Sequence, residues 1–278
     1  MEDLLAGAVD LHIHAGPDIF DRNVDSISAG VAAKAAGMRA IVVKSHSTDT
    51  SGRAITASQI SGFPVYGAVV LNYPVGGFNP YAVRECAIQG GKVVWFPTIA
   101  ARHFITGGNG ADMLAKAIPP GVAGLTALDC EGELKPEVVA CLEQVAEHDL
   151  TLASGHLAEA ETLAVFRKAA EFGIRKLIVT HPHLFVGMSA AGMRELAGLG
   201  AYIEITDHGT FEARRDIVQA VGAERCIIST DGGTVSAPPP VERMERNARG
   251  LLDAGIPYAD VRAMLTVNPA FALGLDHI

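Results

Sequence analysis

Short apolar runs rich in Val and Ile recur along this chain between longer segments that contain Ala, Glu and Arg and have helical character. Eight runs read as strands: residues 8–13, 40–44, 65–71, 92–97, 150–154, 176–180, 201–205 and 226–230. That alternation is how βα units on a parallel, buried sheet look. Helices are expected over 24–36, 80–89, 136–148, 158–172, 189–199, 211–221 and 241–254. Gly37, Gly90, Gly173, Gly200, Gly222 and Gly255 stand where a left-handed residue ends a helix. Between the fourth and fifth strands, Pro119-Pro120-Gly121 leads into residues 125–128 and the turn Asp129 to Gly132, which reads as a small β-hairpin insertion. The expected fold class is α/β, a single (β/α)8 TIM barrel forming one domain over 1–278. An open doubly wound sheet fits the same alternation.

Composition narrows the function classes. With 278 residues and 49% hydrophobic content, the chain can bury a large core. The 31 acidic residues outnumber the 22 basic ones, giving a net charge of -9, and the basic residues are scattered, so no nucleic-acid partner is expected. Apolar stretches break well before the roughly 18 residues that a membrane span needs. The segment Met1 to Leu5 lacks the flanks of a secretory signal, so a cytoplasmic protein without a membrane partner is expected. Cys86, Cys130, Cys141 and Cys226 are widely spaced and are expected to be reduced thiols.

The chemistry sits at the ends of the apolar runs. The first ends in Asp10-Leu-His12-Ile-His14-Ala-Gly-Pro17-Asp18, and two histidines two positions apart on a strand share a side and can share an ion. The fifth ends at His156, the sixth at His181-Pro-His183, and the eighth at Asp231-Gly-Gly. These are C-terminal strand ends, the edge where barrel active sites are built, and imidazole and carboxylate ligands suit Zn2+, Mn2+ or Fe2+.

The motifs DLHIHAGPD, ASGH, VTHPH and STDGG, with the closing TVNPA and ALGL, resemble the amidohydrolase superfamily over nearly the whole chain. In detail they are similar to a compact, uncharacterised group without the β-sandwich domain of many relatives. The resemblance implies that His12 and His14 bind a first metal, with Asp231 as a further ligand and the acceptor of a proton from water. It implies that His156 and His181 hold a second. The fourth strand, Val93-Val-Trp-Phe-Pro97-Thr98, offers no Lys or Glu to bridge two ions, so one or two divalent ions per chain remain open, Zn2+ foremost. With a single ion, His12, His14, His156 and Asp231 would bind it and His181 would orient water or carbonyl.

Lys44, in Val43-Lys44-Ser45-His46, is a candidate carbamylated bridge or a contact to an anionic substrate. Glu204 either faces the mouth or pairs inside the core with a cation. His46, Arg53, Arg102, His103, His183 and His208 fall in expected loops after strands, where substrate contacts belong. The pair Arg214-Arg215 and the run 242–249 read as exposed helix faces.

The expected function is metal-dependent hydrolysis of an amide, cyclic amide, lactone or related ester of a small molecule, by metal-activated hydroxide with Asp231 as acid and base. The alternative is a single-metal lyase, a decarboxylase of the same superfamily. A third reading is a barrel whose metal is structural or whose activity is lost. A homo-oligomer is expected on base rates alone.

Overall fold

The computed structural model describes residues 4–107, 117–118 and 121–275. Among the described residues there are nine strand segments, with helices between all but β3 and β4: β1 (Val9–His14), β2 (Ala40–Lys44), β3 (Val65–Tyr66), β4 (Ala68–Val70), β5 (Val93–Trp95), β6 (Thr151–Ala153), β7 (Leu177–Val179), β8 (Tyr202–Ile205) and β9 (Cys226–Ile228). Every ladder between them is parallel, in the order β1-β2-β3 and β4-β5-β6-β7-β8-β9. The eight expected runs are therefore present, the third as two pieces broken at Gly67. A Cβ at Gly67 would lie 2.3 Å from Ser51 Cα, so the strand passes the start of the preceding helix, Ser51–Ser61, at a distance only glycine allows.

Between β9 and β1 a single parallel bridge, Ile13 to Gly232, takes the place of a ladder. Thr230 reinforces it, donating from Oγ1 to Asp10 Oδ2 (2.6 Å) and from its backbone N to Asp10 Oδ1 (3.2 Å). The strands carry two apolar layers. Ile41, Val43, Val69, Val94, Leu152 and Val179 pack outward against the helices. Val42, Val70, Trp95, Ile178 and Ile227 pack inward, joined by Ala270, Ala272 and Leu273 of the last helix. Thr151 Oγ1, at the start of β6, donates to Ala272 O (2.5 Å), so that helix closes the end opposite the strand tips.

The expected hairpin is present, with an antiparallel bridge between Leu128 and Leu134. Pro119 and Pro120 lie outside the described residues. The helices Ser51–Ser61, Arg102–Thr106, Tyr258–Leu265 and Val267–Leu273 were not expected. Ser51–Ser61 is rich in Ser, Thr and Gly, weak helix formers, and it is held by packing on the helix Ser26–Ala35 and on β3. Arg53, Arg102 and His103 thus sit on helices and not in loops. No helix among the described residues is long and apolar enough to cross a membrane. Of the four thiols, Cys86, Cys141 and Cys226 are buried and Cys130 is exposed, none of them paired.

Candidate metal centre

The tips of β1, β6, β7 and β9 bring together the five side chains singled out in the sequence. His12 Nε2 lies 3.1 Å and His14 Nε2 3.0 Å from Asp231 Oδ1, while His181 Nε2 lies 3.9 Å from Asp231 Oδ2. His156 packs on His181 with ring centroids 5.1 Å apart. Among the described residues, His12, His181 and Asp231 form a group whose ligand atoms lie within 4.8 Å of one another.

Two of these residues stand in unusual backbone conformations. His181 has φ 21° and Asp231 φ 49°, left-handed values that a non-glycine residue adopts at some cost. Asp231 is pinned there by Arg243, whose Nη1 donates to the Asp231 carbonyl (3.1 Å). The turn then passes so close to β1 that a Cβ at Gly233 would lie 1.8 Å from His14 O, and φ there is +117°. A glycine is thus required for the two strand tips to meet.

The hydrogen-bond polarity differs between the two histidines of β1. Glu204 Oε1 lies 3.0 Å from His12 Nδ1, and its Oε2 accepts from His181 N (3.1 Å). A carboxylate accepts, so His12 carries its proton on Nδ1 and turns a lone pair on Nε2 towards the site. Lys44 Nζ donates to that lone pair at 2.9 Å, with its ammonium 4.6 Å from the centroid of the Trp95 ring. His14 is the reverse. Arg22 Nη2 lies 3.2 Å from His14 Nδ1, and a guanidinium only donates, so neutral His14 keeps its proton on Nε2 facing Asp231.

Burial dominates the electrostatics. It pushes His181 down to about 4 and holds His14 and His156 well below the ordinary imidazole value, so these rings are neutral at pH 7. Burial and Lys44 also work against a proton on His12, but the carboxylates of Glu204 and Asp231 outweigh them and raise it. Burial alone would raise Asp231; when His12 is protonated on both nitrogens its charge and its hydrogen bond, with those from His14 and His208, hold Asp231 well below the usual carboxylate range. Burial brings Lys44 down to about 8.

Above these groups is a cavity of about 130 Å3 whose wall includes Arg22, Lys44, His46, Phe104, Phe185 and His208. A wider, open depression of about 420 Å3 over residues 16–28 lies beside it and has no histidine in its wall. His46 is fixed from behind by Thr98 (Nδ1 to Oγ1 2.9 Å), and His208 Nε2 stands 3.3 Å from Asp231 Oδ2. Glu204 does not reach the cavity, and its partner is His12 and not a Lys or Arg. Arg53 points away, donating to Pro17 O.

Three residues that matter here lack a clear sequence signal or were misread. Arg22 belongs to an irregular loop. Arg243 (3% exposed) and Arg214 (2% exposed) are buried, not on exposed helix faces. Arg243 pairs with Asp207, and Arg214 Nη1 donates to Asn247 Oδ1 (2.5 Å). Arg243 and Asn247, four apart and flanked by Met244 and Ala248, were the available hint that this face turns inward.

Solved structures share this architecture. The phosphotriesterase homology protein of Escherichia coli matches with TM-score 0.63 and 15% identity, over 96% of this chain and 98% of that one. A lactonase from Listeria monocytogenes gives 0.62 and 13%, over 98% and 95%. A 2,6-dihydroxybenzoate decarboxylase from Rhizobium gives 0.55 and 13%, over 98% and 99%. At such identities the likeness establishes the fold alone, a TIM barrel. No curated protein matches the sequence. The sequence model of a family of unknown function, DUF6282, matches residues 7–204, a span that contains His12, His14, His156, His181 and Glu204 and ends before Asp231. With most of its length matched, the chain belongs to the DUF6282 family.

Proposed function

We propose that this chain is a metal-dependent hydrolase acting on an amide, cyclic amide, lactone or related ester bond of a small molecule. One observation carries the reading: His12 and His14 from the tip of β1 and His181 from the tip of β7 converge on a single carboxylate, Asp231, whose side chain is 14% exposed at the floor of a cavity. The residues fit a divalent ion such as Zn2+. Their donor set is imidazole nitrogen and carboxylate oxygen, and His156 Nδ1 and His181 Nδ1 are buried without a partner.

His12, His181 and Asp231 would hold the ion, with His14 and His156 completing the set. A bound ion supplies Lewis-acid activation of water and of the scissile carbonyl. The chain's own groups divide the rest. Glu204 keeps the His12 proton on Nδ1. Asp231 Oδ1 is engaged by two imidazoles and Oδ2 by His208 alone, so Oδ2 is the oxygen with room to take a proton from the attacking water. His208, one third exposed, stands beside Oδ2 on the path to solvent. Phe104 and Phe185 exclude water from the His156 side, their rings 5.1 Å apart.

A second reading, a single-metal decarboxylase, is favoured by Lys44, whose ammonium occupies the space next to His12 Nε2 and leaves room for fewer ions. Elemental analysis of protein purified without chelator separates the two. Two ions per chain with lactone or cyclic-amide hydrolysis supports the first, and one ion with CO2 release supports the second. Asp231→Asn is the matching variant, because Asn tolerates a left-handed φ. It should lose turnover and keep its fold, and a variant with wild-type rates overturns the role given to Asp231.

A further inference from the structure

Beside the metal centre the cavity holds a guanidinium that is built in. Arg22 comes from the irregular loop after β1, yet only 7% of its side chain is exposed. Asp18, its side chain fully buried, accepts from Arg22 Nε (2.9 Å) and Nη2 (2.7 Å), and its other oxygen accepts from Ser45 Oγ (3.1 Å) and Ile19 N (2.7 Å). The backbone is tied as well. Arg22 bridges to Thr234, and the neighbouring Asn23 donates from its N to Gly233 O (3.0 Å) and from Nδ2 to Ala237 O (2.8 Å). The loop that carries Arg22 is therefore latched to the turn that carries Asp231.

This arrangement uses up one edge of the guanidinium and leaves the other. Asp18 takes Nε and one hydrogen of Nη2, His14 Nδ1 takes the second hydrogen of Nη2, and neither hydrogen of Nη1 has a partner among the described residues. Lys44 faces the same cavity. Of the charged groups in its wall two are cationic, Arg22 and Lys44, and one is anionic, Asp231. Phe104 and Phe185, packed on His156, line the same cavity. At about 130 Å3 the space admits only a compact molecule.

Resting on the hydrolase reading above, we propose that the substrate is a compact carboxylate, with Arg22 as the residue that binds its carboxyl group and holds the scissile bond over Asp231. A planar two-oxygen group matches the free planar edge of a guanidinium, and Asp18 holds that edge in place before binding. His14 extends the match. When His14 presents Nε2 to an ion its proton stands on Nδ1, the bond from Arg22 ends, and Nη2 offers its second hydrogen beside those of Nη1. Loading of the centre and readiness for a carboxylate are thereby coupled through one imidazole.

The test uses the full-length protein loaded with Zn2+, its metal content measured first, and calorimetric titration with succinate and with monomethyl succinate. Both probes can place one carboxylate on the ion, and they differ by the second. The wild type should bind succinate about tenfold more tightly, the effect expected of one charge-assisted contact. In Arg22→Met the preference should fall to within about twofold, and in Arg22→Lys, which keeps the charge and the Asp18 partner without the fork, it should be intermediate. Thermal melts establish that each variant is folded. A loaded wild type without preference, or an Arg22→Met protein that keeps all of it, overturns the proposal. Absence of bound ion would instead remove the hydrolase reading on which it rests.

Discussion

Replacing Glu204 by Gln asks whether a carboxylate hidden behind His12 sets up the metal centre. Glu204 is 1% exposed and His12 fully buried, and the two carboxylate oxygens accept from two different donors, His12 Nδ1 at 3.0 Å and His181 N at 3.1 Å. Gln is nearly isosteric but has one acceptor and one NH2 group, so one of the two contacts becomes donor against donor. If the amide oxygen stays with the fixed backbone N of His181, His12 must move its proton to Nε2, the atom that would bind the ion. An unsatisfied buried group costs about 1–3 kcal/mol of stability. Loss of the outer partner of a ligating histidine lowers metal affinity about 10- to 100-fold. Competition for Zn2+ against a chromophoric chelator measures the second effect, and the urea midpoint of metal-free protein measures the first. Lowered stability with affinity within about twofold of wild type would mean that Glu204 only fills the core, and the argument for its orienting role would fail.

Metal binding should depend on the loss of one proton, that of His12. Burial keeps His14, His156 and His181 neutral, whereas His12 is raised, so affinity measured by the same competition between pH 5 and 8 should fall by about one power of ten per pH unit below the His12 transition; a slope near three would contradict the assignment. Lys44, brought down to about 8 by burial, binds its proton more weakly folded than unfolded. The unfolded chain then holds the extra proton between pH 8 and its ordinary value near 10.5, so metal-free wild type should gain stability across that window and Lys44→Met should lack that gain. Parallel stability curves for the two proteins would show that Lys44 keeps an ordinary pKa. Gly67→Ala puts a Cβ against the backbone of Ser51 and should cost about 3 kcal/mol or more. Superimposable urea transitions would show that the approach of strand and helix is looser than described.

Much of this protein is written in short-range pattern. Apolar runs of strand length, helical segments between them and glycines that stop those helices are local features, and the strand order follows because parallel βα units have few ways to pack. All six of the helix-closing glycines have positive φ. The placing of His12, His14, His156, His181 and Asp231 was legible for the same reason, since each ends an apolar run and strand ends of a barrel share one edge. What lies between those residues was not legible. The sequence shows that Lys44 and Glu204 stand on strands, but only the closed arrangement turns the ammonium and the carboxylate onto opposite nitrogens of one imidazole. Arg22 has no periodicity to announce it, because a loop's path depends on the turn from another strand to which it is latched. Arg214 and Arg243 read as surface charges because composition reports polarity and not the neighbour a helix face meets. Their burial is decided by Asn247 and Asp207, residues far off in sequence that supply the acceptors a buried cation requires.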